Sequence, residues 1–130
     1  FDVIYDQVIW DGARAGAQLY VFQTNNADFR GTAENLQQLA FARMRAIETG
    51  RAVVNISTTG TSQVIAPDGT TIASIPIDTA AAAITTVPLR TGLTPATILG
   101  PWISALIPLG AIGALTALGI LHRIRNHSSV

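Results

Sequence analysis

Residues 40–76 read AFARMRAIETGRAVVNISTTGTSQVIAPDGTTIASIP, and the way this stretch changes its apolar rhythm decides the fold class. Its first part continues a spacing that starts upstream. Leu36, Leu39, Ala40, Met44 and Ile47 recur every three or four positions, which predicts an amphipathic helix with these residues on its inner stripe. Thr32 is placed to cap that helix, Glu34 suits its positive first turn, and Gly50 ends it. The rhythm then shortens. AVVNIS, SQVIAP and TIASIPI are short β-branched runs that predict three strands, and Pro67, Asp68 and Gly69 between the last two supply the turn of a hairpin.

The same alternation extends outward. Upstream, Val3, Ile4, Val8 and Ile9 predict a short helix ending near Gly12 or Gly16, and QLYVFQ reads as a strand covered on both faces. A polar break, TNNADFRGT, separates that strand from the central helix. Downstream, AAAITTVPL predicts a further strand. Helices alternating with short strands define an α/β class, a mixed sheet with helices on one face or both.

Composition narrows the function. The chain has 130 residues, with 8 Arg and no Lys against 6 Asp and 2 Glu, room for one domain plus an appendage. No basic stripe interleaved with aromatics occurs, so no nucleic-acid partner is expected. The absence of Cys excludes disulfides, thiolate metal sites and a Cys nucleophile within these residues. Beyond the α/β part, Thr91 to Leu121 carries no charge, and Trp102 to Leu121 is apolar or small throughout. Twenty residues of helix span roughly 30 Å, the hydrocarbon thickness of a bilayer. The alternative, a buried core helix, lacks a surrounding domain of sufficient size. Arg123 and Arg125 predict a cytoplasmic C-terminus and an extracytoplasmic soluble part. The expected organisation is a soluble domain at 1–91, a linker at 92–101, a membrane helix at 102–121 and a tail at 122–130.

Among residues that carry chemistry, His122 and His127 lie past the apolar run, where an interfacial role is the ordinary one. Glu48 and Asp2 each lie near a helix where an arginine can pair with them. Ser57, Thr58 and Thr59 form a polar strand end without a His partner, and Gly12 with Gly16 lack the context of a phosphate loop. Asn25 and Asn26, directly after QLYVFQ, either line a site or stabilise a turn. No complete catalytic set, metal site or cofactor site is present in the printed residues.

The ordered series QTNNADFRG, the quoted 40–76 stretch, VPLRTGLTP and a terminal apolar helix resembles the C-terminal half of the nitrilase-like domain of the apolipoprotein N-acyltransferase family, followed by that family's last transmembrane helix. The resemblance implies half of an αββα sandwich. It also implies a nucleophilic Cys directly before an aromatic and acidic pair, which Phe1 and Asp2 match. The nucleophile is therefore expected directly before Phe1, with a Glu base and a Lys further upstream, in a missing N-terminal part of the same protein.

The resemblance implies acyl transfer from a phospholipid, through a Cys thioester, to the N-terminal amino group of a diacylated lipoprotein at the plasma membrane. The Phe1 amide is the implied oxyanion donor, and Asp2 is an acidic neighbour that orients the site, with Arg43 or Arg45 as its candidate partners. Asn25 and Asn26 fall in the family's site loop. That loop departs from the family pattern, since Asp28 stands where a Trp is usual and Arg30 precedes Gly31. No role transfers to Thr58, Thr59 and Gly60, and Glu48 is expected to be ion-paired. A membrane-tethered amidase with water as acceptor, and a non-catalytic membrane scaffold, are the competing expectations.

Overall fold

The computed structural model describes residues 4–30 and 32–127. Phe1 and Asp2 lie outside the described residues. The chain divides into two compact units, Phe1–Ile98 and Leu99–Val130. In the first, helix α1 (Asp6–Arg14) leads to strand β1 (Leu19–Thr24), then α2 (Glu34–Thr49), β2 (Ala52–Ser57), β3 (Ser62–Ile65) and β4 (Thr71–Ile75). The strands form one mixed sheet in the order β1-β2-β3-β4. β1 and β2 run parallel, with Leu19 opposite Ala52 and Thr24 opposite Ser57, and the remaining neighbours are antiparallel. The α/β class is therefore as the sequence implies.

Both α1 and α2 end in the same way. Gly16 (φ +93°) and Gly50 (φ +63°) take the left-handed conformation. The amides of Gly16 and Ala17 return to the carbonyls of Ala13 and Gly12, and those of Gly50 and Arg51 to Ile47 and Ala46, the paired bonds of a Schellman ending. Of the two glycines proposed for the end of α1, the structure selects Gly16. Gly12 lies inside the helix, where an added Cβ would stand 3.2 Å from the Tyr20 ring. At the start of α2, the N-cap position falls to Ala33, which makes no side-chain capping bond, while the hydroxyl of Thr32 before it accepts from the Glu34 amide at 3.3 Å.

The core is thin. Leu39, Ala42 and Ala46 of α2 meet Val53 and Ile65 of the sheet, flanked by Tyr20 and Phe22. This corrects the expected stripe. α2 buries Asn35, Gln38, Leu39, Ala42, Arg45, Ala46 and Thr49, while Leu36, Met44 and Ile47 are more than half exposed. The two alanines let the helix approach the sheet, and hydrogen bonds to Asn35, Arg45 and Thr49 make their burial tolerable.

Two other expectations fail. β1 is not covered on both faces, for Val21 is 56% exposed; among the described residues the strand pairs with β2 and forms the sheet edge. AAAITTVPL forms no strand. A strand needs a hydrogen-bonded neighbour, and from 79 to 94 the inter-element backbone bond found is Arg90 N–H to the Gln18 carbonyl at 3.3 Å.

Arg51 ties these parts together. It is fully buried, and its guanidinium donates to the carbonyls of Ala17, Thr49, Ala13, Thr91 and Gly92. Two of these, Ala13 and Thr49, belong to the last turns of α1 and α2, whose C-terminal dipoles favour a cation. Thr94 continues the clamp. Its hydroxyl donates to the Glu48 carbonyl and accepts from the Thr97 amide at 3.2 Å, so it both satisfies the end of α2 and caps α3 (Pro95–His127). Pro95 occupies the first helical position, where its missing N–H costs nothing.

Helix α3 has 33 residues with Pro101 and Pro108 inside it. It begins within the expected linker and continues past Leu121. Residues Pro95–Arg125 are long and apolar enough to cross a membrane, and within that stretch prolines are tolerated.

In the β3–β4 turn, Asp68 accepts from the Thr70 hydroxyl at 2.7 Å and amide at 2.9 Å. These bonds hold its carboxyl below the usual range. Its contribution to the turn is present above the ordinary carboxylate range and disappears as pH falls through the lowered value.

The Arg51 clamp predicts that Arg51→Met destabilises the protein by about 3 to 5 kcal/mol, because it strands buried carbonyls and leaves a poorly filled site. Breaking the exposed Arg30–Asp78 pair with Arg30→Met is expected to change stability far less, because solvent screens an exposed pair. Denaturant midpoints of the two variants, compared with the parent, check this order.

Candidate functional site

The carboxyl ends of the parallel pair β1 and β2 bring two polar loops side by side, the position at which open α/β sheets bind ligands. Because Thr24 is in register with Ser57, residues 25–30 and 58–61 leave the sheet together. The Thr58 amide donates to the Thr24 carbonyl at 3.2 Å, and the Thr58 hydroxyl to Asn25 Oδ1 at 2.8 Å. A groove of ≈ 370 Å³ between the strand ends is lined by Gln23, Thr24, Asn25, Ile56, Ser57 and Thr58.

The two asparagines take different positions. Asn25 is exposed, and its Oδ1 also accepts from the Ala27 amide at 3.3 Å, the bond that stabilises a turn. Asn26 is 2% exposed. Its Nδ2 donates to Asn35 Oδ1 at 3.2 Å, and the same Oδ1 accepts from the Thr61 amide at 3.2 Å. Asn35, on the first turn of α2, thus joins both loops. Gly60 closes the arrangement: its amide donates to Ser57 Oγ at 2.9 Å, and an added Cβ would lie 2.3 Å from Asn35 Oδ1 and 2.7 Å from Asn26 Nδ2. Asn26 Oδ1 and Thr59 Oγ1 are buried without a hydrogen-bond partner among the described residues.

Arg30, the residue that departs from the family pattern, is matched by Asp78. The guanidinium donates through Nη2 at 2.7 Å and Nε at 3.1 Å, and the Asp78 amide donates to the Thr59 carbonyl at 3.1 Å. This fork and the Asp78 charge raise the Arg30 pKa above its ordinary value. Asp78 adopts φ 56°, a conformation Asp tolerates better than most residues. Residues 26 and 30 of this loop are therefore held by Asn35 on one side and Asp78 on the other.

A second cluster lies at the start of α1. Arg45 donates to Glu48 Oε2 at 2.6 Å, Asp6 Oδ1 at 2.6 Å and the Ile4 carbonyl at 2.9 Å. Glu48 is ion-paired, as expected, and also accepts from Trp10 Nε1 at 2.7 Å. Arg43, the other arginine considered for Asp2, holds the β3–β4 hairpin through the Gly69 carbonyl, Gln63 Oε1 and Thr71 Oγ1.

Sequence reasoning passed over Asn35 and Arg51 and gave Gly60 no role. The signal present was the polar set Asn35, Gln38 and Arg45 at helical spacing, interleaved with Leu39, Ala42 and Ala46, a stripe of the same period as the exposed apolar one.

A mixed sheet with its polar loops at the ends of the parallel pair defines an α/β domain. Residues 1–93 match the carbon-nitrogen hydrolase family, and the chain belongs to that family. Its relatives include the apolipoprotein N-acyltransferase of Mycolicibacterium smegmatis, 39% identical over 125 residues that cover 96% of this chain and 21% of that protein. The apolipoprotein N-acyltransferase of Gloeobacter violaceus is 37% identical over 123 residues, 92% of this chain and 22% of that protein. That of Shewanella oneidensis is 29% identical over 126 residues, 95% and 23% respectively. The chain spans about a fifth of the length of these curated relatives.

The crowding at Gly60 predicts that Gly60→Ala destabilises the protein by about 1 to 3 kcal/mol. Adding Asn35→Ala removes the nearest clash, so the double variant is expected to lose less than the sum of the single losses. Denaturation of the parent, both single variants and the double variant measures this coupling.

Proposed function

We propose that these residues serve as part of a membrane N-acyltransferase that moves an acyl chain from a phospholipid to the N-terminal amino group of a diacylated lipoprotein. The observation that carries this reading is the similarity to proteins named apolipoprotein N-acyltransferase, which runs through 96% of the chain, α3 included. A match confined to the α/β unit would support only hydrolase-type chemistry. The remaining catalytic groups, a Cys directly before Phe1 and an upstream Glu and Lys, belong in this proposal to the rest of a longer polypeptide.

The proposed chemistry has two steps. The Cys thiolate attacks the phospholipid ester carbonyl, a thioester forms, and the lysophospholipid leaves as an alcohol after protonation by the Glu. The lipoprotein amine then attacks the thioester, giving up a proton to the Glu, and the thiolate is released. Both tetrahedral intermediates carry an oxyanion, for which the Phe1 amide is the proposed donor. Asp2 supports the site electrostatically and does not exchange protons with substrate. The loops bearing Asn25 and Asn26 form the wall beside it. In this reading α3 crosses the plasma membrane with Arg123 and Arg125 on the cytoplasmic side, and the soluble unit faces outward.

The complete polypeptide, incubated with phospholipid and a diacylated lipopeptide, is expected to yield N-acylated lipopeptide detectable by mass, whereas residues 1–130 alone, lacking Cys and Lys, are expected to yield none. Release of free fatty acid without acylated peptide would favour an amidase-like hydrolase, and neither product would favour a scaffold. For topology, a reporter active only in the cytoplasm is expected to work when fused after Val130; activity solely of an externally active reporter contradicts the orientation.

A further inference from the structure

We propose that Arg30 binds the phosphate of the acyl donor and so acts as a specificity residue for phospholipids; this rests on the acyl-transfer reading above. Its surroundings set it apart from the other basic residues of the sheet and α2. Arg43 is committed to the β3–β4 hairpin, Arg45 to Glu48 and Asp6, and Arg51 to the helix ends. Arg30 is the one basic residue within 25–30 and 58–61, the two loops at the candidate site, and its side chain is 62% exposed.

A guanidinium carries five N–H donors, enough for two parallel-bond forks. Asp78 occupies one fork, through Nε at 3.1 Å and Nη2 at 2.7 Å. The second fork joins Nη2 to Nη1, and Nη1 makes no hydrogen bond among the described residues. A fork already oriented by a carboxylate loses little freedom when a second anion enters, and phosphate oxygens match its spacing. Asp78 also fixes where the fork stands. Its amide donates to the Thr59 carbonyl at 3.1 Å, and Thr58, one residue earlier, lines the groove between the strand ends.

The backbone at Asp78 points the same way. Its φ of 56° is left-handed, and a residue other than glycine stays there only where its surroundings fix it, as they do at ligand clamps. In a phospholipid the ester that the proposed nucleophile attacks and the phosphate hang on one glycerol. A donor whose ester enters the groove therefore carries its anion to the rim, where Arg30 stands.

The experiment uses the complete polypeptide in neutral-detergent micelles, as parent, Arg30→Gln, Arg30→Lys and Asp78→Asn. Single-turnover acylation of the nucleophilic Cys is followed against the concentration of two donors, phosphatidylethanolamine and p-nitrophenyl palmitate, which has no phosphate. In Arg30→Gln the half-saturating phosphatidylethanolamine concentration is expected to rise about 10-fold, the low end for a charged hydrogen bond because the site is exposed. Its maximal rate, and its half-saturation with the nitrophenyl ester, are expected to stay within about threefold of the parent. Arg30→Lys falls between parent and Arg30→Gln, since it keeps the charge and loses the fork. Asp78→Asn leaves the cation in place and is expected to shift half-saturation by less than about threefold.

An unchanged half-saturation for phosphatidylethanolamine in Arg30→Gln overturns the proposal. So does an equal rise for both donors, or an equal effect of Arg30→Gln and Asp78→Asn, each of which marks a purely structural latch. The other source of the same anion is inorganic phosphate: if millimolar phosphate raises the parent's half-saturation to the Arg30→Gln value, the fork serves free anions and its assignment to the donor is overturned. Where Arg30→Gln fails to fold, a rise in Arg30→Lys confined to phosphatidylethanolamine supports the proposal, and no rise or an equal rise for both donors overturns it. If the parent's Cys is acylated by the nitrophenyl ester but not by phosphatidylethanolamine, the acyl-transfer reading itself fails and the proposal falls with it, an outcome separate from any variant effect.

Discussion

A cation removed from water costs several kcal/mol unless its surroundings replace the lost hydration. At Arg51 they do so without a carboxylate contact among the described residues. Five carbonyls surround the guanidinium, and two come from helix ends that carry partial negative charge. The rest of the soluble unit follows from this constraint. Arg51 directly precedes β2, so the central strand of the parallel pair starts where α1, α2 and the 91–92 segment meet. The left-handed turns at Gly16 and Gly50 are what allow two helix ends to converge there.

The constraint also separates stability from chemistry along β2. Its first residue, Ala52, follows the clamp, and its last, Ser57, opens into the loops that carry Asn26, Gly60 and the groove. Tight packing at one end lets the other hold buried polar groups with unfilled hydrogen-bonding capacity, which is costly in isolation and common where a site is assembled. α2 spans both roles. Its first turn braces the loops through Asn35, and its last turns present Arg45 to the entrance of α1 and Thr49 to Arg51.

The order of elements was legible because periodicity and turn residues are local signals. Leu36 to Ile47 announced a helix, and Pro67 to Gly69 announced a hairpin, and both exist. Which face of α2 turns inward was not legible, because the exposed stripe and the buried polar one share the same helical period, and only the partners of Asn35 and Arg45 decide between them. AAAITTVPL had strand composition, but composition does not supply a neighbouring edge. Arg51 was invisible for a similar reason: an arginine after a helix-ending glycine reads as solvated until the carbonyls around it are known. Of the site, the loop with Asn25 and Asn26 was found by position after β1. The roles of Phe1 and Asp2 came from resemblance and lie outside the described residues.

Native-state hydrogen exchange on the complete protein tests the clamp most directly. The amide of Arg51 is bonded to Ala46, and that of Ile98 to Thr94; these two residues stand on opposite sides of the clamp. If the guanidinium unites them, both amides open with free energies within about 1 kcal/mol of those in β2, as members of one cooperative unit. Rapid exchange at Ile98 while the Arg51 and β2 amides stay protected would contradict it, since the 91–98 segment would then detach without disturbing the residue held to anchor it.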